Sequence, residues 1–173
     1  MKDLQHLYIE CLNELDAIGI VYGNIKSITV NTRAKSRWGL CQRREIVDLS
    51  SPTSVYEYDI SISYRLMEDS VSDVAVKTTI LHEILHTCKG GHGHTGEWEK
   101  LAKRVNAAYG YNIQRTTTAE EKGVEDLYVS PVYKYSVACT HCGHEYRRTK
   151  MTSVIKNPEN YRCSHCGGKL VRI

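Results

Sequence analysis

Two C-x-x-C pairs, Cys139-Thr140-His141-Cys142 and Cys163-Ser164-His165-Cys166, lie close to the C-terminus with twenty residues between them, and they restrict how that part of the 173-residue chain can fold. This spacing is that of a structural four-cysteine zinc site. Glycine follows each pair, as Gly143 and as Gly167-Gly168, and permits the tight turn that aims amides at sulfur. Residues 131–173 carry few large apolar side chains, so a metal ion has to supply most of their folding energy. The expectation is a zinc ribbon with a closed thiolate shell and no open position for catalysis. His141, His144 and His165 are reserve ligands, read first as exposed loop residues. Cys11, Cys41 and Cys88 bring the cysteine total to seven, an odd number that favours metal binding in a reducing compartment over disulfides.

The preceding 130 residues suffice for one ordinary domain. Leu4, Leu7, Tyr8, Cys11, Leu12, Leu15 and Ile18 recur at helical spacing between a capping Asp3 and Gly19. Short strand-like segments follow at Ile25 to Val30, Arg37 to Cys41, Glu45 to Leu49 and Val55 to Ile62; in the last, Tyr56, Tyr58, Ile60 and Ile62 alternate with polar residues. From Ser72 or Asp73 the period becomes helical through Val74, Thr78, Leu81 and Leu85 and stops at Gly90-Gly91. A last helix fits Thr95 to Ala108. The fold class read from this order is α+β. Residues 1–115 form the expected main domain, polar residues 116–130 a linker, and 131–173 the ribbon. Thr118 and Glu121 have the spacing of a capping box, which would open a short helix within the linker.

His82-Glu83-Ile84-Leu85-His86 falls inside the segment that reads as helix on independent grounds. Residues four apart are neighbours around the helix axis, so the two imidazoles can share one zinc ion, with Glu83 beside them rather than bound. In that place Glu83 is the catalytic residue: its carboxylate can take the proton of an attacking water and deliver it to a departing amine. Zinc would polarise the carbonyl and acidify the water. A third ligand can come from His94 or His92, just past the glycine turn. His94 is favoured because it sits immediately before the last helix, with Trp98 one turn on as a packing anchor. His92 has the spacing of a longer zinc motif, but the glycine which that motif wants after His86 is Lys89 here. Cys88 reads as a small buried filler.

No apolar run approaches the roughly 18–20 residues of a membrane helix, and the first twenty residues lack the continuous apolar core of a secretory signal. A cytoplasmic protein without membrane contact is expected. The net charge of +3 divides unevenly, with eight Lys/Arg against Glu145 and Glu159 after residue 130 and 15 basic against 18 acidic residues before it. The tail is therefore basic even with four thiolates bound to zinc. Arg147, Arg148 and Lys150 with Tyr133, Tyr135, Tyr146 and Tyr161 can form a surface for phosphates and bases, and Arg33, Lys35, Arg37, Arg43 and Arg44 flank Trp38 in a second basic group.

The stretches HEILHTCKGGHGHTGEWEKLAKRV, VNTRAKSRWGLC and DISISYRLMED, with the terminal ribbon, resemble the SprT-like metallopeptidases, the family of the eukaryotic protease Spartan. The resemblance spans most of the chain. It implies a small zincin-like, minigluzincin-type protease domain with His82, His86 and His94 as ligands, Glu83 catalytic, and two zinc ions per chain, one catalytic and one structural. It also implies protein substrates bound or crosslinked to DNA, single-stranded or damaged. Thr95 departs from the family's usual glycine. The competing reading is a nucleic-acid-binding ribbon protein whose first metal site is structural or latent. An intact Glu83 speaks against that reading, since a structural site has no use for a general base.

Overall fold

The computed structural model describes residues 1–34, 36–46, 55–125 and 132–173. The chain divides into two compact units, Met1–Asp126 and Leu127–Ile173.

The first unit begins with helix α1, Leu4–Ala17, started by the Asp3 carboxylate accepting the His6 N–H at 3.0 Å. Its buried stripe is Leu4, Leu7, Cys11 and Leu15. Strands β1 (Asn24–Asn31), β2 (Gly39–Ile46) and β3 (Val55–Ser63) form a mixed sheet in the order β1-β3-β2. β3 is central, parallel to β1 and antiparallel to β2, and turns Tyr58, Ile60 and Ile62 into the core. The two segments expected at Arg37 to Cys41 and Glu45 to Leu49 are one strand as far as Ile46, because the β2 ladder with β3 runs unbroken from Gly39 to Ile46. Residues 47–49 lie outside the described residues.

Helix α2, Asp73–Leu85, is capped by the Ser72 hydroxyl accepting the Ala75 N–H. Val76, Ile80, Leu81, Ile84 and Leu85 are all fully buried, and with Thr78, Thr79 and Glu83 also buried this helix is covered on most of its circumference. Burying one such side chain contributes about 1.5–3 kcal/mol. The helix ends five residues before the glycines expected to stop it, because the Thr87 hydroxyl donates to Ile84 O and accepts the Gly23 N–H. Helix α3, Glu97–Tyr109, begins behind Gly96 and closes on Gly110 in the left-handed conformation.

Residues 116–125 were expected to belong to a linker, but they pack on the first unit. Lys122 and Val124 are buried, Lys122 Nζ donates to Ala75 O (3.2 Å) and Thr78 Oγ1 (2.9 Å) on α2, and Trp38 Nε1 donates to Thr117 O at 3.0 Å. Thr118 and Glu121 form a reciprocal capping box ahead of the single turn Glu120–Lys122. The rest of the expected linker, 126–130, lies outside the described residues.

The second unit is a three-stranded antiparallel sheet, β4 (Tyr135–Cys139) between β5 (Glu145–Arg148) and β6 (Leu170–Arg172), with the one-turn helix α4 (Ser153–Lys156). Its core is Val137, Ile155 and Leu170 beside Cys139 and Cys163. Among the described residues no helix is long and apolar enough to cross a membrane.

Candidate metal centres

His82 and His86 occupy the last turn and the cap of α2, one turn apart on the same side and each half-buried. The chain reverses through Gly90 and Gly91; a Cβ on Gly91 would collide with Leu85 O, so only glycine fits there. The reversal brings His94 back over the helix. Its Nε2 lies 3.0 Å from that of His82 and 3.1 Å from that of His86, and the latter two are 3.3 Å apart. Trp98, almost completely buried, contacts all three rings, with centroids 4.8, 5.6 and 4.9 Å from His82, His86 and His94.

Backbone carbonyls set the tautomers of two of these rings. His82 Nδ1 meets Gln114 O at 3.0 Å and His86 Nδ1 meets Gly91 O at 2.7 Å. A carbonyl only accepts, so both Nδ1 atoms carry the proton and both Nε2 atoms present lone pairs. Three nitrogens at such distances repel unless a proton or a cation lies among them. Ligands bound tetrahedrally at 2.0–2.1 Å stand roughly 3.3 Å apart, close to the spacing observed. Burial disfavours the charged imidazolium in each ring, taking the His82 pKa down to about 3 and lowering those of His86 and His94. The three histidines form a group able to hold a metal ion.

His92 stands apart from this trio. Its Nε2 accepts from Arg43 Nη1 at 2.8 Å. Cys88 is buried with its thiol on Ile84 O, and burial pushes its pKa up to about 11.

Glu83, on the same turn of α2, is buried and faces β2. Burial raises its carboxyl to about 7, against a hydrogen bond from the Cys41 backbone N–H and the nearby charge of Arg37. Glu83 and the trio line one cleft of about 500 Å³, walled by Trp38, Gly39 and Cys41 from β2 and its approach and by Gln114 to Thr117 from the segment after α3. That size is ordinary for a ligand site.

The four ribbon cysteines also converge. Cys139 and Cys166 sulfurs are 3.5 Å apart, those of Cys142 and Cys163 are 3.7 Å apart, and all four lie within 4.8 Å of one another. Tetrahedral thiolates at about 2.3 Å from an ion would be roughly 3.8 Å apart. The Tyr146 hydroxyl, 3.2 Å from the Cys163 sulfur, favours its thiolate and lowers its pKa to about 6. Gly168 is required, since a Cβ there would lie 2.7 Å from the Cys139 sulfur. His141, His144 and His165 are exposed and outside the four-sulfur group, and the His144 and His165 rings stack at 5.7 Å.

The model of the SprT-like family matches residues 21–119, more than half of the chain. This protein belongs to the SprT-like family. The match takes in the sheet, α2, the histidine trio and α3, and ends before the ribbon. The SprT-like protein of Bacillus subtilis strain 168 is 31% identical over 99 residues, 57% of this chain and 56% of its own. The chain thus spans about half the length of the curated relative it matches. No solved structure matches it.

Three contributors to the site escaped sequence reasoning. Gln114 and Lys122 act from the segment around the expected linker, one through its carbonyl and the other through a buried ammonium, and no motif marks either. Gly39 was visible beside Trp38, but its closeness to Glu83 depends on how β2 lies on α2.

Proposed function

We propose that this SprT-like protein is a zinc-dependent endopeptidase with a zincin-like catalytic domain and a structural zinc in the ribbon, acting on proteins bound or crosslinked to DNA. The observation that carries the reading is the burial of one carboxylate, Glu83, in the cleft that the three convergent imidazoles line. A bound zinc would act as the Lewis acid at the scissile carbonyl. His82, His86 and His94 would hold it, two of them with their tautomers set by Gln114 O and Gly91 O. Glu83, steadied by the Cys41 N–H, accepts a proton from the attacking water on its carboxylate and returns it to the leaving amine. A structural site needs no such group, which disfavours the reading as a binding module alone.

Support for nucleic acid comes from the ribbon. Arg148, Lys150, Tyr133 and Tyr161 are exposed, while Tyr135 and Tyr146 pack on its small core, so part of the basic and aromatic set is available for phosphates and bases. The resemblance to Spartan-type proteases adds the crosslinked substrate. The test is Glu83→Gln: it keeps both metals and abolishes cleavage of a DNA-bound protein, and undiminished cleavage would remove Glu83 from the mechanism.

A further inference from the structure

We infer that the cleft selects protein substrates with an acidic side chain, aspartate or glutamate, close to the scissile bond, and that Arg43 is the residue that reads it. This rests on the peptidase reading above.

Four cationic side chains, Arg37, Arg43, Arg115 and Lys122, line the cleft against a single carboxylate, Glu83. The neighbouring acids are engaged elsewhere. Asp59 takes Arg44 at 2.8 Å and the Ser27 hydroxyl at 2.6 Å, and Glu121 caps the Thr118 N–H. Among the described residues neither Arg43 nor Arg115 belongs to an ion pair. Lys122 is already spent on α2.

Arg43 is the cation best held for recognition. Its Nη1 donates to His92 Nε2 at 2.8 Å and its guanidinium carbon sits 4.5 Å from the centroid of the Tyr56 ring. Two contacts from different elements fix the plane of the fork and occupy one of its five N–H donors. A fixed guanidinium matches a carboxylate in bidentate geometry and loses little freedom on binding it. The placement suits a substrate subsite. His92 precedes His94 by two residues, and Arg115 directly follows Gln114, whose carbonyl holds His82. Positive charge is thus supplied beside the histidine trio from two separate chain segments.

A carboxylate fits this arrangement better than a nucleic-acid backbone does. Nucleic-acid affinity grows with the number of phosphates neutralised, and the three arginines that line the cleft, Arg37, Arg43 and Arg115, supply few such contacts. A phosphate chain through the cleft would also run against the buried Glu83 carboxylate. One side-chain carboxylate needs one fork.

The experiment has two arms on the full-length zinc-loaded protein. In the first, cleavage sites in a proteome-derived peptide library are read by mass spectrometry, and one cleaved sequence is resynthesised with Glu, Gln or Lys at the selected position. The expected result is about a tenfold or greater kcat/KM for the Glu form over the Gln form. Arg43→Glu turns the preference toward Lys, and the control Lys100→Glu on the exposed face of α3 leaves it unchanged. In the second arm three synthetic peptides of fixed sequence, chosen without reference to cleavage and differing only in Glu, Gln or Lys at the central position, are bound to Glu83→Gln protein by fluorescence anisotropy, where the Glu form binds about tenfold tighter and loses that advantage in the Glu83→Gln/Arg43→Glu double variant. Cleavage and binding without acidic preference overturn the inference and leave the hydrolase intact. Acid-selective binding with no cleavage by wild type supports the subsite while overturning the peptidase reading. A single-stranded oligonucleotide that binds through Arg43 while the three peptides bind alike assigns the residue to nucleic acid and overturns the inference.

Discussion

Gly39 leaves the space that the Glu83 carboxylate fills. A Cβ at position 39 would lie 2.7 Å from Glu83 Cγ and closer still to its Oε1, while Gly39 itself stays in the β2 ladder opposite Ile62. The glycine is therefore needed for close approach, and the burial of Glu83 depends on it. Gly39→Ala should keep both metal ions and the folded core but displace the carboxylate. A displacement of about 1 Å in a catalytic group costs on the order of a hundredfold in rate. Parallel metal analysis and kcat measurement check this, and a variant with undiminished kcat would show that the carboxylate's present position is not the working one.

Lys122 should give the first unit an alkaline stability signature. Burial lowers its pKa from the ordinary 10.5 to about 8, with the charge of Glu121 opposing. Between those values the unfolded chain binds more protons than the folded one, so stability rises with pH across that window and is least favoured below about 8. Both tryptophans, Trp38 and Trp98, lie in the first unit, so their fluorescence follows its unfolding alone. Wild type measured against Lys122→Met in urea should show a midpoint difference that shifts in favour of wild type from pH 8 to 10.5. A difference that stays flat would mean that Lys122 carries its charge inside at no cost.

Tyr146 should tighten the ribbon's hold on its metal. Its hydroxyl lies 3.2 Å from the Cys163 sulfur and also meets the Ser164 N–H at 3.0 Å. Tyr146→Phe keeps the ring on the small ribbon core and removes the donor to sulfur. Groups that orient a metal ligand in this way are worth about tenfold to a hundredfold in affinity. Chelator competition should therefore strip the ribbon of Tyr146→Phe first, leaving the histidine site as in wild type; equal resistance in the two proteins would contradict the assignment.

The sequence was most informative where a local rule carries the chemistry. The i,i+4 spacing of His82 and His86, the two cysteine pairs, the Asp3 cap and the Thr118–Glu121 box depend on residues a few positions apart, and each has its counterpart in the structure. What stayed hidden depends on packing between distant segments. The run after Arg115 is polar enough to pass for a linker, yet it is held by the indole of Trp38, some eighty positions earlier, and by the ammonium of Lys122 against the carbonyl of Ala75. His94 is favoured over His92 by the local sequence, and Trp98 does contact all three rings; what the sequence does not display is that Arg43 on β2 takes up the His92 ring. Joining two expected strand segments into β2 likewise required the ladder to β3, which runs through Gln42 to Arg44 despite their polarity.

Whether three imidazoles of one cleft share a single ion is tested most directly by counting metal per chain in ligand variants. Elemental analysis of the full-length protein should give two zinc ions for wild type and for His92→Ala, and one for His94→Ala and for His86→Ala. Two ions retained in His94→Ala, or one lost in His92→Ala, would contradict the trio as the site of binding.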